Sequence, residues 1–273
     1  MAIFLSMRSW FRLASPERFV QDAGLAESRG ADHMDAGMVR IVVIGGGGCT
    51  NGSDPEMDAW ILRQIPVTGR KPRLGYLGTA SGNCPEKHAG FRAAYGNHAT
   101  LLEAPPPMAP AADCVAWLGQ LDLVYVGGGN TRTVLECWRQ TGWDAALAAA
   151  VRSGVMIAGV SAGGISWFDA AFSDADGHGL APLPGLGLIQ GSCCPHYSEE
   201  PWRRPAYEAA ISDGVIAPGL AIDDGVAVLC SHEGAIGWMS ARPGVAAYRI
   251  ERQGTRAEGT RAVSCTLPQL SSL

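Results

Sequence analysis

The sequence predicts an α/β protein: a mostly parallel sheet with helices on both faces, followed by antiparallel strands toward the C-terminal end. Three observations carry this reading. Short runs of β-branched and apolar residues stop abruptly at glycine clusters, as at Ile44 before Gly45–Gly48 and Val126 before Gly127–Gly129. Amphipathic segments of helical length lie between those runs. Beyond about Gly219 the helical segments cease and short strands follow one another directly. Strands alternating with helices are βαβ units, whose right-handed crossovers build a parallel sheet covered on both faces.

The elements follow in order. Val39–Ile44 reads as a buried strand stopped by four glycines. Asp54 and Pro55 supply an N-cap and a first-turn proline for a helix that sets Met57, Trp60, Ile61 and Ile65 on one face. Arg73–Leu77 is the next strand, running into Gly78–Gly82, then a helix over Pro85–Tyr95, a strand at Thr100–Leu102 and a proline turn at Pro105–Pro107. Leu121–Val126 is a buried strand. Thr131–Val151 reads as one long helix with Val134, Leu135 and Trp138 inward, and Val155–Ala158 as a further strand. Leu186–Ile189 is strand-like. The last strands are Leu220–Ile222, Val226–Cys230, Ala235–Trp238 and Ala246–Ile250, expected as an antiparallel extension at one sheet edge. The reading is one domain over residues 39–273, with residues 1–38 a loosely ordered extension or an over-called start.

Composition narrows the function. With 21 basic and 26 acidic residues in 273, the net charge of −5 offers no field for a nucleic-acid backbone or an anionic membrane. The longest apolar runs are strand-sized, and the N-terminus has no sustained apolar stretch of a signal peptide. Eight cysteines, none spaced as CxxC, read as free thiols of a reducing cytoplasm. The histidines and cysteines form no metal-ligand pattern, so neither metal nor cofactor is expected. Glycine stands out at 36 residues, about 13% against a usual ~7%. The cluster VVIGGGGCTNG does not fit GxGxxG: the third glycine falls on Thr50 or Asn51, and no acid ends the next strand to take a ribose.

The chemistry concentrates at Gly159-Val160-Ser161-Ala162-Gly163, between a strand and an apolar segment. That is the setting of a nucleophile elbow, where flanking glycines let neighbouring backbone approach a strained serine. A serine hydroxyl needs a base. Of the six histidines, His196 follows a strand-like run ending Cys193-Cys194-Pro195 and should reach the same sheet edge as Ser161.

Four ordered motifs match a family. Val124-Tyr125-Val126-Gly127-Gly128-Gly129-Asn130-Thr131, Gly159–Gly164, Gly185-Leu186-Gly187-Leu188 leading to Pro195-His196-Tyr197, and Ala221-Ile222-Asp223-Asp224-Gly225-Val226-Ala227 resemble the peptidase E (alpha-aspartyl dipeptidase) and cyanophycinase family of serine peptidases. The resemblance runs from about Val39 to Glu251 and implies a flavodoxin-like fold of the class I glutamine amidotransferase type. It implies Ser161 as nucleophile, His196 as general base and acid, and oxyanion donors from Ala162 and Gly128 or Gly129. Asn130 is implied as a holder of substrate backbone, or else as a helix-capping residue. For the triad acid Asp174 is preferred, with Asp176 beside it and Asp224 as the alternatives; at Asp224 the family usually carries a glutamate. Recognition of an N-terminal aspartate needs a cation, for which Arg204 is the first candidate and Arg203 the second.

The expected activity is therefore serine exopeptidase action on short peptides, some with N-terminal Asp, by a monomer or homodimer. Two alternatives remain. One is an α/β-hydrolase-type esterase, against which stand the 35 residues from Ser161 to His196 and the missing HGGG-type loop. The other is a non-catalytic amidotransferase-like domain that binds a small ligand. Cys193 and Cys194 keep a thiol role in view.

Overall fold

The computed structural model describes residues 39–254 and 261–267; the expectation for residues 1–38 lies outside the described residues. The order is β1 (Ile41–Ile44), α1 (Pro55–Gln64), β2 (Arg73–Leu77), α2 (Pro85–Tyr95), β3 (Thr100–Leu102), α3 (Ala111–Leu118), β4 (Leu123–Val126), α4 (Thr131–Thr141), α5 (Trp143–Arg152) and β5 (Met156–Val160). There follow the one-turn α6 (Ala162–Ile165), β6 (Phe168–Ser173), β7 (Ala181–Pro184), β8 (Ile189–Cys194), α7 (Arg203–Ser212), β9 (Gly219–Ile222), β10 (Val226–Ser231), β11 (Gly234–Ser240), β12 (Ala247–Gln253) and β13 (Arg261–Thr266).

The main sheet has the order β11-β10-β1-β5-β4-β2-β3, parallel from β1 to β3, with β10 and β11 added antiparallel beside β1. Side-chain alternation along each strand decides what covers each face. Ile41, Val43, Val124, Val126 and Ile157 point into a core with Trp117 of α3, Trp138 of α4, and Trp143 and Leu147 of α5. Val42, Ile44, Leu123, Tyr125, Ala158 and Val160 point the other way, onto Met57 and Ile61 of α1 and Phe91 and Tyr95 of α2. Burial on both faces explains why these strands read as unbroken apolar runs.

The structure departs from the sequence reading in several places: β6 and β7 are additional strands, and the strand placed at Leu186–Ile189 runs over Ile189–Cys194 instead. The helix expected over Thr131–Val151 is two helices, because Gly142 adopts φ 74°, ψ 13°, ends α4 and starts α5 at a new angle. Helix α3, which lies between the proline turn and β4, was not anticipated; at eight residues it is too short to show a firm period. The late strands do not all extend one edge. β10 and β11 do, whereas β9 and β12 join a second sheet of order β13-β12-β9-β8-β6-β7, with α7 packed on it through Tyr207 and Ile211.

Parallel register brings three glycine-rich strand ends together. Ile44 pairs with Val160, and Val126 with Gly159, so the loops after β1, β4 and β5 leave the sheet side by side. In open α/β sheets this carboxyl edge is where ligands sit.

Candidate active site

Ser161 stands at the turn between β5 and α6, at φ 51°, ψ −120°, a conformation that costs a non-glycine residue about 1–3 kcal/mol. Its surroundings over-determine that geometry. The Ser161 N–H donates to Ile44 O at 2.9 Å, and Ser161 O accepts from the N–H groups of Gly164 and Ile165 at 2.8 and 2.9 Å. A Cβ on Gly159 or Gly163 would overlap the backbone of Gly163 or Val126 respectively, so the GxSxG glycines are required by close approach.

His196 lies beyond β8, also with positive φ, 52°. Its Nε2 is 2.9 Å from Ser161 Oγ, and its Nδ1 is 2.6 Å from Asp224 Oδ1. The carboxylate accepts from Nδ1–H, which leaves the Nε2 lone pair to accept from the serine hydroxyl. The loop bearing His196 is tied to the second sheet by Tyr197 N–H donating to Ile222 O at 3.2 Å, two residues before Asp224.

The acid beside the histidine corrects the sequence preference. Asp174 is half-exposed and pairs with Arg203 at 3.4 Å, and Asp176 pairs with Arg132. Neither meets the imidazole; Asp224 does. Although shorter than a glutamate by one methylene, Asp224 reaches the ring because its turn is drawn against β1: Gly46 bridges to it, and Gly225 N–H donates to Gly46 O at 3.0 Å. A Cβ on Gly46 would overlap the Asp224 carboxylate, and one on Gly45 would overlap Asp223 O. The first glycine cluster, which does not fit a nucleotide fingerprint, is thus the seat of the Asp224 turn.

The same cluster seats a second ion pair. Arg242, in the loop after β11, grips Asp54 with two bonds of 2.7 Å, and a Cβ on Gly47 would intrude on both side chains. Burial pushes the Asp54 carboxyl up, but bonds from Arg242, Ser53 Oγ–H and Gly48 N–H outweigh it and hold the group below the usual carboxylate range. Asp54 precedes α1 as expected but at φ 56°, and its side chain makes no cap bond because it is turned back to the arginine. Arg242 also packs over Gly225, next to Asp224. The sequence carried no signal for this pair, since its partners are 188 residues apart.

The remaining candidates fall as follows. Gly128 runs past Ser161: a Cβ there would lie 3.3 Å from Ser161 Cβ. Gly129 has φ 155°, and Ala162 opens α6, where the first N–H groups have no intrahelical acceptor. Asn130 is a helix cap, its Oδ1 accepting from Thr133 N–H and its Nδ2–H donating to Ala175 O, both at 2.9 Å. Its amide is thus engaged at both ends. Arg203 is buried and bound to Glu200 at 2.6 Å, a structural arginine. Arg204 lies over the rings of Tyr197 and Tyr248 at 5.0 and 5.5 Å, with Glu208 3.5 Å away, and half its side chain is exposed. Cys193 and Cys194 are buried, and burial raises both thiols, Cys194 to about 12, which removes the thiolate a nucleophile needs. Among the described residues no three His, Cys, Asp or Glu side chains gather as a metal site, and no helix is long and apolar enough to cross a membrane.

Comparison with known proteins agrees with this architecture. Residues 41–237 match the model of peptidase family S51. The chain is 38% identical over 220 residues to the uncharacterized peptidase YgaJ of Bacillus subtilis (strain 168), an alignment spanning 78% of this chain and 92% of that protein. Two solved structures share the fold. A peptidase from an acI-B1 Actinobacterium superposes with TM-score 0.59 at 17% identity, over 84% of this chain and 98% of the other. A Listeria monocytogenes EGD-e protein described as a candidate peptidase E gives TM-score 0.56 at 18% identity, over 74% and 98%. The chain belongs to peptidase family S51 and is a serine peptidase.

Proposed function

We propose that the protein is a serine exopeptidase of short peptides in which Ser161, His196 and Asp224 act as the catalytic triad. The observation that carries this is the unbroken hydrogen-bonded line from Ser161 Oγ through both imidazole nitrogens to Asp224. In this reading Ser161 Oγ attacks the scissile carbonyl carbon while its proton passes to His196 Nε2. The resulting oxyanion is met by N–H groups of Ala162 and of Gly128 or Gly129. Collapse expels the amine, which takes the proton from His196. Water then gives a proton to His196 and its hydroxide to the acyl carbon, releasing the acid and restoring Ser161. Asp224 holds the ring in the productive tautomer and stabilises the imidazolium.

The preference for N-terminal aspartate is proposed to rest on Arg204, which lies over the residue that follows His196 and keeps half its side chain in solvent. Arg203 is set aside because its guanidinium is already consumed. A cytoplasmic location is the reading that eight free cysteines favour. The test is release of amino acids from a dipeptide panel with Asp-Leu and Ala-Leu, beside p-nitrophenyl esters. The expected result is peptide hydrolysis, with Asp-Leu preferred and the preference lost in Arg204→Ala. Turnover of esters alone would favour an esterase, and unchanged Asp-Leu preference in Arg204→Ala would remove the specificity assignment.

A further inference from the structure

The Gly127–Gly129 turn is pinned at its two ends. Gly127 N–H donates to Leu77 O at 2.9 Å, and Asn130 N–H donates to Ala80 O at 2.8 Å. Between the pins lies the Gly128–Gly129 peptide, flanked by two residues without Cβ, and such a peptide rotates cheaply. One side chain holds it. Lys87, in the first turn of α2, donates from Nζ to Gly128 O at 2.9 Å in a partly buried contact.

We propose that Lys87 is a positioning residue that fixes the Gly128–Gly129 peptide as an oxyanion donor. The argument rests on the Ser161 reading above and on peptide geometry. In a trans peptide the C=O and the following N–H point in opposite directions, so anchoring Gly128 O on α2 turns Gly129 N–H away from α2. Gly128 itself packs against Ser161, which places this peptide beside the atom where negative charge develops. Lys87 does a second thing. A cation on the carbonyl oxygen draws electron density from the amide nitrogen and makes its N–H a stronger donor. The effect is present in the resting enzyme but is used only when the oxyanion forms, so it acts on kcat and not on substrate binding.

The experiment compares wild type, Lys87→Met, Lys87→Arg and Ser161→Ala on the best dipeptide of the panel, with inhibition by a dipeptide aldehyde whose serine adduct carries the tetrahedral oxygen. Lys87→Met is expected to lower kcat by about 10- to 100-fold, below the ~10²–10³ cost of deleting an oxyanion donor, with KM changed less than about threefold. Aldehyde inhibition should weaken by the same factor as kcat, and Lys87→Arg should recover most of the loss. Thermal melts of the three variants check that the fold persists. A raised KM with unchanged kcat would mean that Lys87 touches substrate and would overturn the proposal. Unchanged kcat and inhibition in Lys87→Met, with Ser161→Ala inactive, would overturn it alone. Full activity in Ser161→Ala would remove the parent reading and this inference with it.

Discussion

Asp224→Asn separates the two acids most sharply. Asp224 and His196 touch at 2.6 Å, and each side chain is 22% exposed, so their pairing is only partly screened by water. When the imidazole takes the serine proton it becomes a cation beside this carboxylate. Two unit charges about 4 Å apart at an effective dielectric of ~20 attract by roughly 4 kcal/mol. At 1.36 kcal/mol per factor of ten, losing that stabilisation costs about 10³-fold. An asparagine that donates its amide to Nδ1 also imposes the wrong tautomer, which takes the expected loss in kcat toward ~10⁴-fold. Asp174→Asn removes a surface contact to Arg203 and should leave kcat within about threefold. The assay is steady-state dipeptide hydrolysis at pH 7.5 by both variants, with thermal melts to confirm folding. A 10³-fold loss in Asp174→Asn beside a mild effect in Asp224→Asn would refute the assignment.

Three further outcomes follow from the same geometry. Gly46→Ala drives a methyl into the Asp224 carboxylate and should lower kcat by about 10²-fold or more, whereas Gly119→Ala, at φ −63° and with the nearest atom 3.5 Å from the added methyl, should keep activity near wild type; equal activities in the two would contradict the seat assigned to Gly46. Arg242 grips Asp54 and packs over Gly225 next to Asp224, with Glu199 also near. Against the upward push of burial, bonds from Arg242 hold the Asp54 carboxyl below its usual range, so the pair's contribution to stability is present above that range and is lost as pH falls through the lowered value; the stability gap between wild type and Arg242→Gln in urea titrations should narrow from pH 7 toward acid, and parallel curves would contradict it. Burial lifts the Asp58 carboxyl to about 6 from 3.8, despite bonds from Tyr95 O–H and Cys49. A raised carboxyl stabilises the fold when protonated and loses that contribution as pH rises through about 6. Wild type should therefore lose about 2–3 kcal/mol relative to Asp58→Asn between pH 4 and 7.5 in urea titrations, and parallel curves would contradict it.

How much of this was legible in the sequence depended on whether the signal was local. The elbow at Ser161 and the glycine turn at Gly127–Gly129 could be read because strand, turn and helix are contiguous and each glycine answers a nearby backbone constraint. His196 followed from its place at a strand end. The second sheet was hidden because β9 pairs with β8 and β12, and nothing in a short apolar run names its partner. The choice among Asp174, Asp176 and Asp224 turned on the Gly46–Asp224 approach, a contact between distant segments. Proximity in sequence favoured Asp174, and Arg203 claims that side chain instead. Arg204 ranks ahead of Arg203 only by resemblance, and nothing local to two adjacent arginines says that one is buried and the other half-exposed.

The central claim is that Ser161 is the nucleophile that carries the acyl group. Its most direct test is intact-protein mass spectrometry after exposure to an alkyl fluorophosphonate, which phosphonylates an activated serine with loss of fluoride. One adduct per chain is predicted, mapped to Ser161, absent in Ser161→Ala and formed at least ~100-fold more slowly in His196→Ala. Labelling of Ser161→Ala at the wild-type rate, or an adduct mapped to another residue with loss of peptide hydrolysis, would contradict the account.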